Sequence, residues 1–102
     1  MRRAAKVDGN HVAVMLRFRS YGFSVLSLAR LGDGAPDLLV ARNGLTAVVE
    51  VKDGSKPPSR RKLRPAQVEF LSSWRGATYV VERLEQVDAI AEGWSRAPEA
   101  RD

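Results

Sequence analysis

Arg42-Asn43-Gly44 separates two short apolar runs, Asp37-Leu-Leu-Val-Ala41 and Leu45-Thr-Ala-Val-Val-Glu-Val51. Asn-Gly between such runs is the strongest short-range signal for a β-hairpin closed by a type I′ turn, whose two central residues both take positive φ. With Asn43 and Gly44 at the centre of the turn, the pairing register is determined, and Asp37 falls directly opposite Glu50. Side chains so placed have Cβ atoms ~4.5–5.5 Å apart, and two carboxylates at that distance repel unless a cation lies between them. Period-2 alternation puts Thr46, Val48, Glu50 and Lys52 on one face of the second strand and Ala47, Val49 and Val51 on the other. Lys52 therefore points to the same side as Glu50.

Two carboxylates with no His or Cys nearby form a hard, oxygen-only donor set. Such a set favours Mg²⁺ or Mn²⁺, which keep several waters and take phosphate oxygens as further ligands. The backbone carbonyl of Val51 offers another oxygen. A metal at this place could polarise a phosphodiester and lower the pKa of a bound water, while Lys52 could orient the attacking water or stabilise negative charge in the transition state. The reaction class expected of such a site would be metal-assisted phosphodiester hydrolysis. The plainer alternative makes Glu50 and Lys52 an edge-strand surface ion pair and Asp37 a turn residue after Pro36.

The rest of the chain frames this hairpin. Its 102 residues are expected to form one domain with a core of its own. Asp8-Gly9-Asn10 offers N-cap residues for a helix from His11 to Tyr21, with Val14, Met15 and Phe18 at helical spacing, stopped by Gly22. Phe23 to Leu28 reads as a strand, ended by Gly-Asp-Gly-Ala-Pro at 32–36. Pro65 opens a second helix that runs to Trp74 and closes at Gly76. Thr78 to Val81 is a short strand, and Leu84 to Trp94 a last helix with Val87, Ile90, Ala91 and Trp94 on one face. The expected order is αβββαβα, an α/β fold in which a mixed sheet is flanked by helices, with flexible tails at 1–7 and 95–102. The chain has no cysteine, which excludes disulfides, thiolate metal sites and cysteine nucleophiles. No apolar run approaches the ~20 residues that span a bilayer, and a soluble, cytoplasmic protein is expected.

Seventeen Lys and Arg stand against twelve Asp and Glu, and the whole excess of +5 sits between Lys52 and Arg64. That segment carries Lys52, Lys56, Arg60, Arg61, Lys62 and Arg64 against Asp53 alone. A local basic loop of this kind neutralises phosphates, which nominates Lys56, Arg60, Arg61, Lys62 and Arg64 for nucleic-acid binding, with Pro57-Pro58 stiffening the segment. A solvated loop, or one that binds an acidic protein, is the competing reading. Gln67 begins a face continued by Phe70, Leu71 and Trp74, and a half-buried amide there needs partners. His11 reads as a packing or capping residue, with a lesser possibility that it approaches the site or the DNA backbone. Trp74 and Trp94 read as core or subunit-interface anchors rather than as base-stacking residues.

Pro36-Asp37, twelve intervening residues and Glu50-Val51-Lys52 resemble the signature of the PD-(D/E)xK nuclease superfamily. Within it, Gly34-Ala-Pro-Asp-Leu-Leu-Val40, the strand ending in Glu-Val-Lys-Asp-Gly54, and Pro65-Ala-Gln67 leading to Leu71 and Trp74 resemble the small stand-alone VRR-NUC domains of viral and prophage type. The resemblance spans about Val7 to Ile90. It implies a restriction-endonuclease-like core and a Mg²⁺- or Mn²⁺-dependent endodeoxyribonuclease that acts on Holliday junctions or other branched DNA as a homodimer. It matches Asp37 and Glu50 to metal-binding carboxylates, Val51 to a carbonyl ligand, Lys52 to the catalytic lysine and Gln67 to a helix residue at the active site. The first helix of the family commonly bears an acidic residue near the site, where the aligned stretch here has Ala13. That departure motivates an alternative, a catalytically weakened module that binds branched DNA without cutting it.

Overall fold

The computed structural model describes residues 9–94; the expected flexible tails, and Asp8 of the proposed cap, lie outside the described residues. Helix α1 (His11–Ser20) is followed by strands β1 (Ser24–Ser27), β2 (Leu38–Arg42) and β3 (Leu45–Val51), helix α2 (Pro65–Ser73), strand β4 (Ala77–Val81) and helix α3 (Leu84–Gly93). Short 3₁₀ turns at Ala29–Leu31 and Pro58–Arg60 interrupt the two longest connections. This is the expected αβββαβα order. The strands lie in the order β1-β2-β3-β4, antiparallel except for the parallel pair β3–β4. Helix α2 is thus the crossover that two neighbouring parallel strands require.

The hairpin turn is as the sequence dictates. Asn43 and Gly44 have φ of 56° and 79°, and the β2–β3 pairing runs from Arg42↔Leu45 to Leu38↔Val49. One step further brings Asp37 opposite Glu50. Leu38, Val40, Ala47, Val49 and Val51 turn one face of the sheet to Val14 and Phe18 of α1 and to Val87 and Ala91 of α3, forming the main core. Val48 is equally buried yet stands outside that cluster, on the opposite face with Glu50, where α2 lies. Strand β3 is therefore covered on both sides, and β1 and β4 are the edges.

Trp94 completes the core, its ring 5.4 Å from Phe23 and its indole N–H donating to the Tyr79 hydroxyl at 2.9 Å. Trp74 does not join it: this residue is the C-cap of α2, with 44% of its surface exposed. Two polar clamps hold the helices of the main layer. Arg17 pairs with Asp88 through both carboxylate oxygens at 2.7 and 2.8 Å, and the Tyr21 hydroxyl donates to the same carboxylate at 2.7 Å. Arg42, at the hairpin, donates to the carbonyls of Tyr21 and Ala91, each at 2.7 Å, and lies 4.3 Å over the Phe23 ring. Its cation thus sits at the negative ends of both α1 and α3. Arg42→Met keeps the apolar stem and removes both charge-assisted bonds, so a loss of about 2–4 kcal/mol is expected, read as a lower urea midpoint at unchanged slope.

Candidate active site

The candidate site lies at the end of the sheet where β2 begins and β3 ends. Asp37 precedes β2 after the 32–36 turn, and its Oδ2 accepts the backbone N–H of Val51 at 2.7 Å. The Asp37 carboxylate thereby extends the hairpin ladder by one rung. Successive residues of a strand turn their backbone groups alternately to the two neighbours. Lys52 N–H is bonded to Val81 of β4 at 2.9 Å, so the Val51 carbonyl turns, like its N–H, toward Asp37. The carboxylates of Asp37 and Glu50 and the carbonyl of Val51 are in this way brought to one end of the hairpin.

Glu50 is only 2% exposed, which excludes the surface ion pair as its role. Burial, and then the Asp37 charge, push its pKa up to about 8 against the opposing pull of Lys52. Three groups surround the carboxylate: Asp37, the Lys52 ammonium at 3.6 Å, and the Gln67 amide, whose Nε2 donates to Oε2 at 2.7 Å. Gln67 is itself 5% exposed and has every reason to face this way. Its Oε1 accepts the Arg64 backbone N–H at 2.8 Å, capping α2, and the Lys52 Nζ at 3.1 Å. With both donors on Oε1, the NH₂ end is left for the acceptor, which is the carboxylate. A single amide therefore ties the start of α2 to Glu50 and to Lys52.

The donor set fits a hard divalent cation. Two carboxylates in contact, with one lysine beside them, carry the repulsion that such an ion relieves, and the carbonyl of Val51 adds a neutral oxygen. Among the described residues no three His, Cys, Asp or Glu side chains cluster to hold a metal. A site with two carboxylates leaves most of the coordination sphere to water and phosphate, as Mg²⁺ tolerates.

The turn before Asp37 is packed against the helix that carries Gln67. Gly34 has φ +83°, and a Cβ on it would lie 2.8 Å from both the Cβ and the carbonyl oxygen of Ala66. Gly34→Ala is expected to push α2 away from the hairpin. The measurable result is a loss of about 2–4 kcal/mol in stability, as for a side chain forced into strained backbone and an occupied space.

The basic loop that follows β3 is built rather than loose. Asp53 accepts from both the N–H and the hydroxyl of Ser55, and Arg83 donates to the Gly54 carbonyl at 3.3 Å. Lys56, Arg60, Lys62 and Arg64 are exposed along it. Arg61 differs from them: it is half-buried, and its guanidinium donates to the Lys56 carbonyl at 2.7 Å and to Glu82 at 3.2 Å, which braces the loop.

Helix α1 supplies a correction. Ala13 is exposed beside Leu16, Arg17, Ser20 and Leu84 in a groove between α1 and α3, so it is not at the carboxylates. At this end of the sheet lie the N-cap of α1, Asn10, and its first residue, His11. Asn10 Nδ2 donates to the Lys52 carbonyl at 3.0 Å and to the Glu82 carbonyl at 3.3 Å, a tie that the sequence reading missed. His11 is buried, 3.5 Å from the Ser27 hydroxyl through Nε2, and its Nδ1 has no hydrogen-bond partner among the described residues. Periodicity already carries the signal: Ala13 is 200° around a helix from His11, while Phe18 is nearly in line with it.

No family model and no curated protein matches the sequence. A solved structure of a VRR-NUC domain matches the fold with a TM-score of 0.64 and 32% sequence identity, over 84% of this chain and 95% of that one. With that identity across nearly the whole of the matched domain, and with Asp37, Glu50 and Lys52 gathered on one hairpin, the chain belongs to the VRR-NUC family of nuclease domains.

Proposed function

We propose that the protein is a Mg²⁺- or Mn²⁺-dependent DNA endonuclease that hydrolyses phosphodiester bonds and selects branched DNA, Holliday junctions included. The observation that carries this reading is the contact of Asp37 with Glu50 on a central strand, with Lys52 and Gln67 bonded into the same cluster. Asp37, Glu50 and the Val51 carbonyl would hold the cation. When bound, it supplies Lewis-acid polarisation of the phosphate and activation of water. Lys52, on the same face, directs its Nζ to the attacked phosphate and balances the negative charge that grows on its oxygens. Gln67 is a positioning residue, holding Glu50 and Lys52 at fixed separation. Lys56, Arg60, Lys62 and Arg64 contact backbone phosphates, which sets orientation without reading bases.

One site nicks one strand, so resolution of a junction needs two copies, and a homodimer is part of the proposal. The competing reading, a weakened module that binds branched DNA without cutting it, rests on a first helix with no acidic residue in its first turn, Ala13 itself lining a groove between α1 and α3. The test is cleavage of end-labelled four-way junction, flap, linear duplex and single-stranded DNA with Mg²⁺ or Mn²⁺, with Glu50→Ala alongside. Cutting that requires metal, weakens as salt rises and disappears in the variant is expected. Absence of cutting on every substrate, or cutting by Glu50→Ala at the full rate, overturns it.

A further inference from the structure

Helix α2 carries more than Gln67. Phe70 and Trp74 stack on one another with ring centroids 5.3 Å apart and planes within 17°. Phe70 is half-buried, whereas Trp74 keeps 44% of its surface exposed. Trp74 follows Gln67 at i+7, which returns it to the same side of the helix about 10 Å further along. The aromatic pair thus continues the line that begins at the carboxylates. The surroundings are cationic: exposed Lys62 and Arg64 precede the helix, exposed Arg75 follows it, and Glu69 is its one acidic residue.

A ligand that answers both features carries phosphates and flat π-faces together. We propose that Trp74, backed by Phe70, is a stacking platform for an unpaired nucleobase of the DNA strand held at the site. The proposal rests on the nuclease reading above and adds the element that recognises branching. Within a duplex each base is already stacked and closed to an indole; at a junction, flap or single strand it is open. Selection for branched DNA then follows from stacking, with the basic loop contributing affinity that is indifferent to branching.

The test is titration of the metal-free full chain with short oligothymidylate and with blunt duplex at low salt, following tryptophan emission and affinity. Trp94 is buried and Trp74 is exposed, so the accessible signal belongs to Trp74. Oligothymidylate is expected to quench that emission, and Trp74→Leu to abolish the quench and weaken single-strand binding about 5- to 100-fold, with Trp74→Phe retaining most of the affinity. Duplex affinity should change by far less. Unchanged single-strand binding by Trp74→Leu overturns the inference while leaving the nuclease reading intact. So does a dimer-to-monomer shift of Trp74→Leu in sedimentation with equal loss on both DNAs, which assigns the indole to contact with a second copy. Failure of the wild-type protein to bind any DNA removes both readings, and duplex binding without single-strand binding removes this one alone.

Discussion

Lys52→Ala is expected to lower the rate of phosphodiester cleavage by about 10²- to 10⁴-fold, the range found for removing a positioned proton-transfer or charge-stabilising group, while DNA affinity changes little. The split follows from where the ammonium sits. Its side chain is nearly buried, donates to Gln67 and faces Glu50 at 3.6 Å, so it is not a surface cation that draws DNA from a distance. On the proposed reading, association falls to the exposed loop, whose four outward cations outnumber this inward one. Lys52→Arg is expected to rescue little, because a planar fork does not occupy the place of a compact ammonium held against an amide oxygen. The measurement is single-turnover cleavage beside equilibrium binding of the same labelled substrate. Wild-type cleavage by Lys52→Ala removes the lysine from the mechanism, whereas a parallel loss of binding reassigns it to phosphate contact.

Much of that placement was legible beforehand, because a two-residue Asn-Gly turn leaves one register and a strand has only two faces. Asp37 opposite Glu50, and Lys52 beside it, follow from those two facts, and the observed Leu38↔Val49 pairing agrees with them. What local pattern does not carry is coverage. Alternation along β3 says which side Glu50 takes, but its burial depends on β4 pairing in parallel at one edge and α2 crossing over that side. The same limit explains the tryptophans: Trp74 and Trp94 both close apolar helical faces, yet only Trp94 meets a partner layer. Arg61 and Arg42 lay beyond reach for a different reason. A guanidinium in a basic run reads as a phosphate ligand until a carboxylate from 21 residues away, here Glu82, is placed against it. Arg42 caps helices that begin far from it in sequence. The misplacement of Ala13 was avoidable, since the helical wheel already sets His11 and Phe18 on the side facing the core.

Glu50→Gln is expected to abolish cleavage and, in the absence of metal, to make the protein more stable at pH 8. A carboxyl whose folded pKa lies near 8, above its ordinary value of 4.5, binds more protons in the native state than in the unfolded one over that interval. Stability contributed by this group is therefore complete below about pH 4.5 and is lost as pH rises toward 8. Glutamine has nearly the same shape and no charge to be buried. Its oxygen still accepts from Gln67, and its NH₂ donates toward Asp37, so the variant keeps the bonding pattern and drops the repulsion. The gain should be about 1–3 kcal/mol at pH 8 and should shrink toward pH 5. Added Mg²⁺ or Mn²⁺ is expected to reverse the order, because an ion that bound the native carboxylates would stabilise the wild-type protein by mass action and would have lost a ligand in the variant. Thermal unfolding at pH 5 and pH 8, with and without metal, reads all four corners of this comparison. A wild-type protein at least as stable as Glu50→Gln at pH 8 without metal would mean that Glu50 and Asp37 are not held in opposition. Metal-induced stabilisation equal in both proteins would place the cation elsewhere. A carboxylate retained at a cost to the metal-free fold, and relieved only by the ion, is the pattern expected of a residue kept for chemistry rather than for stability.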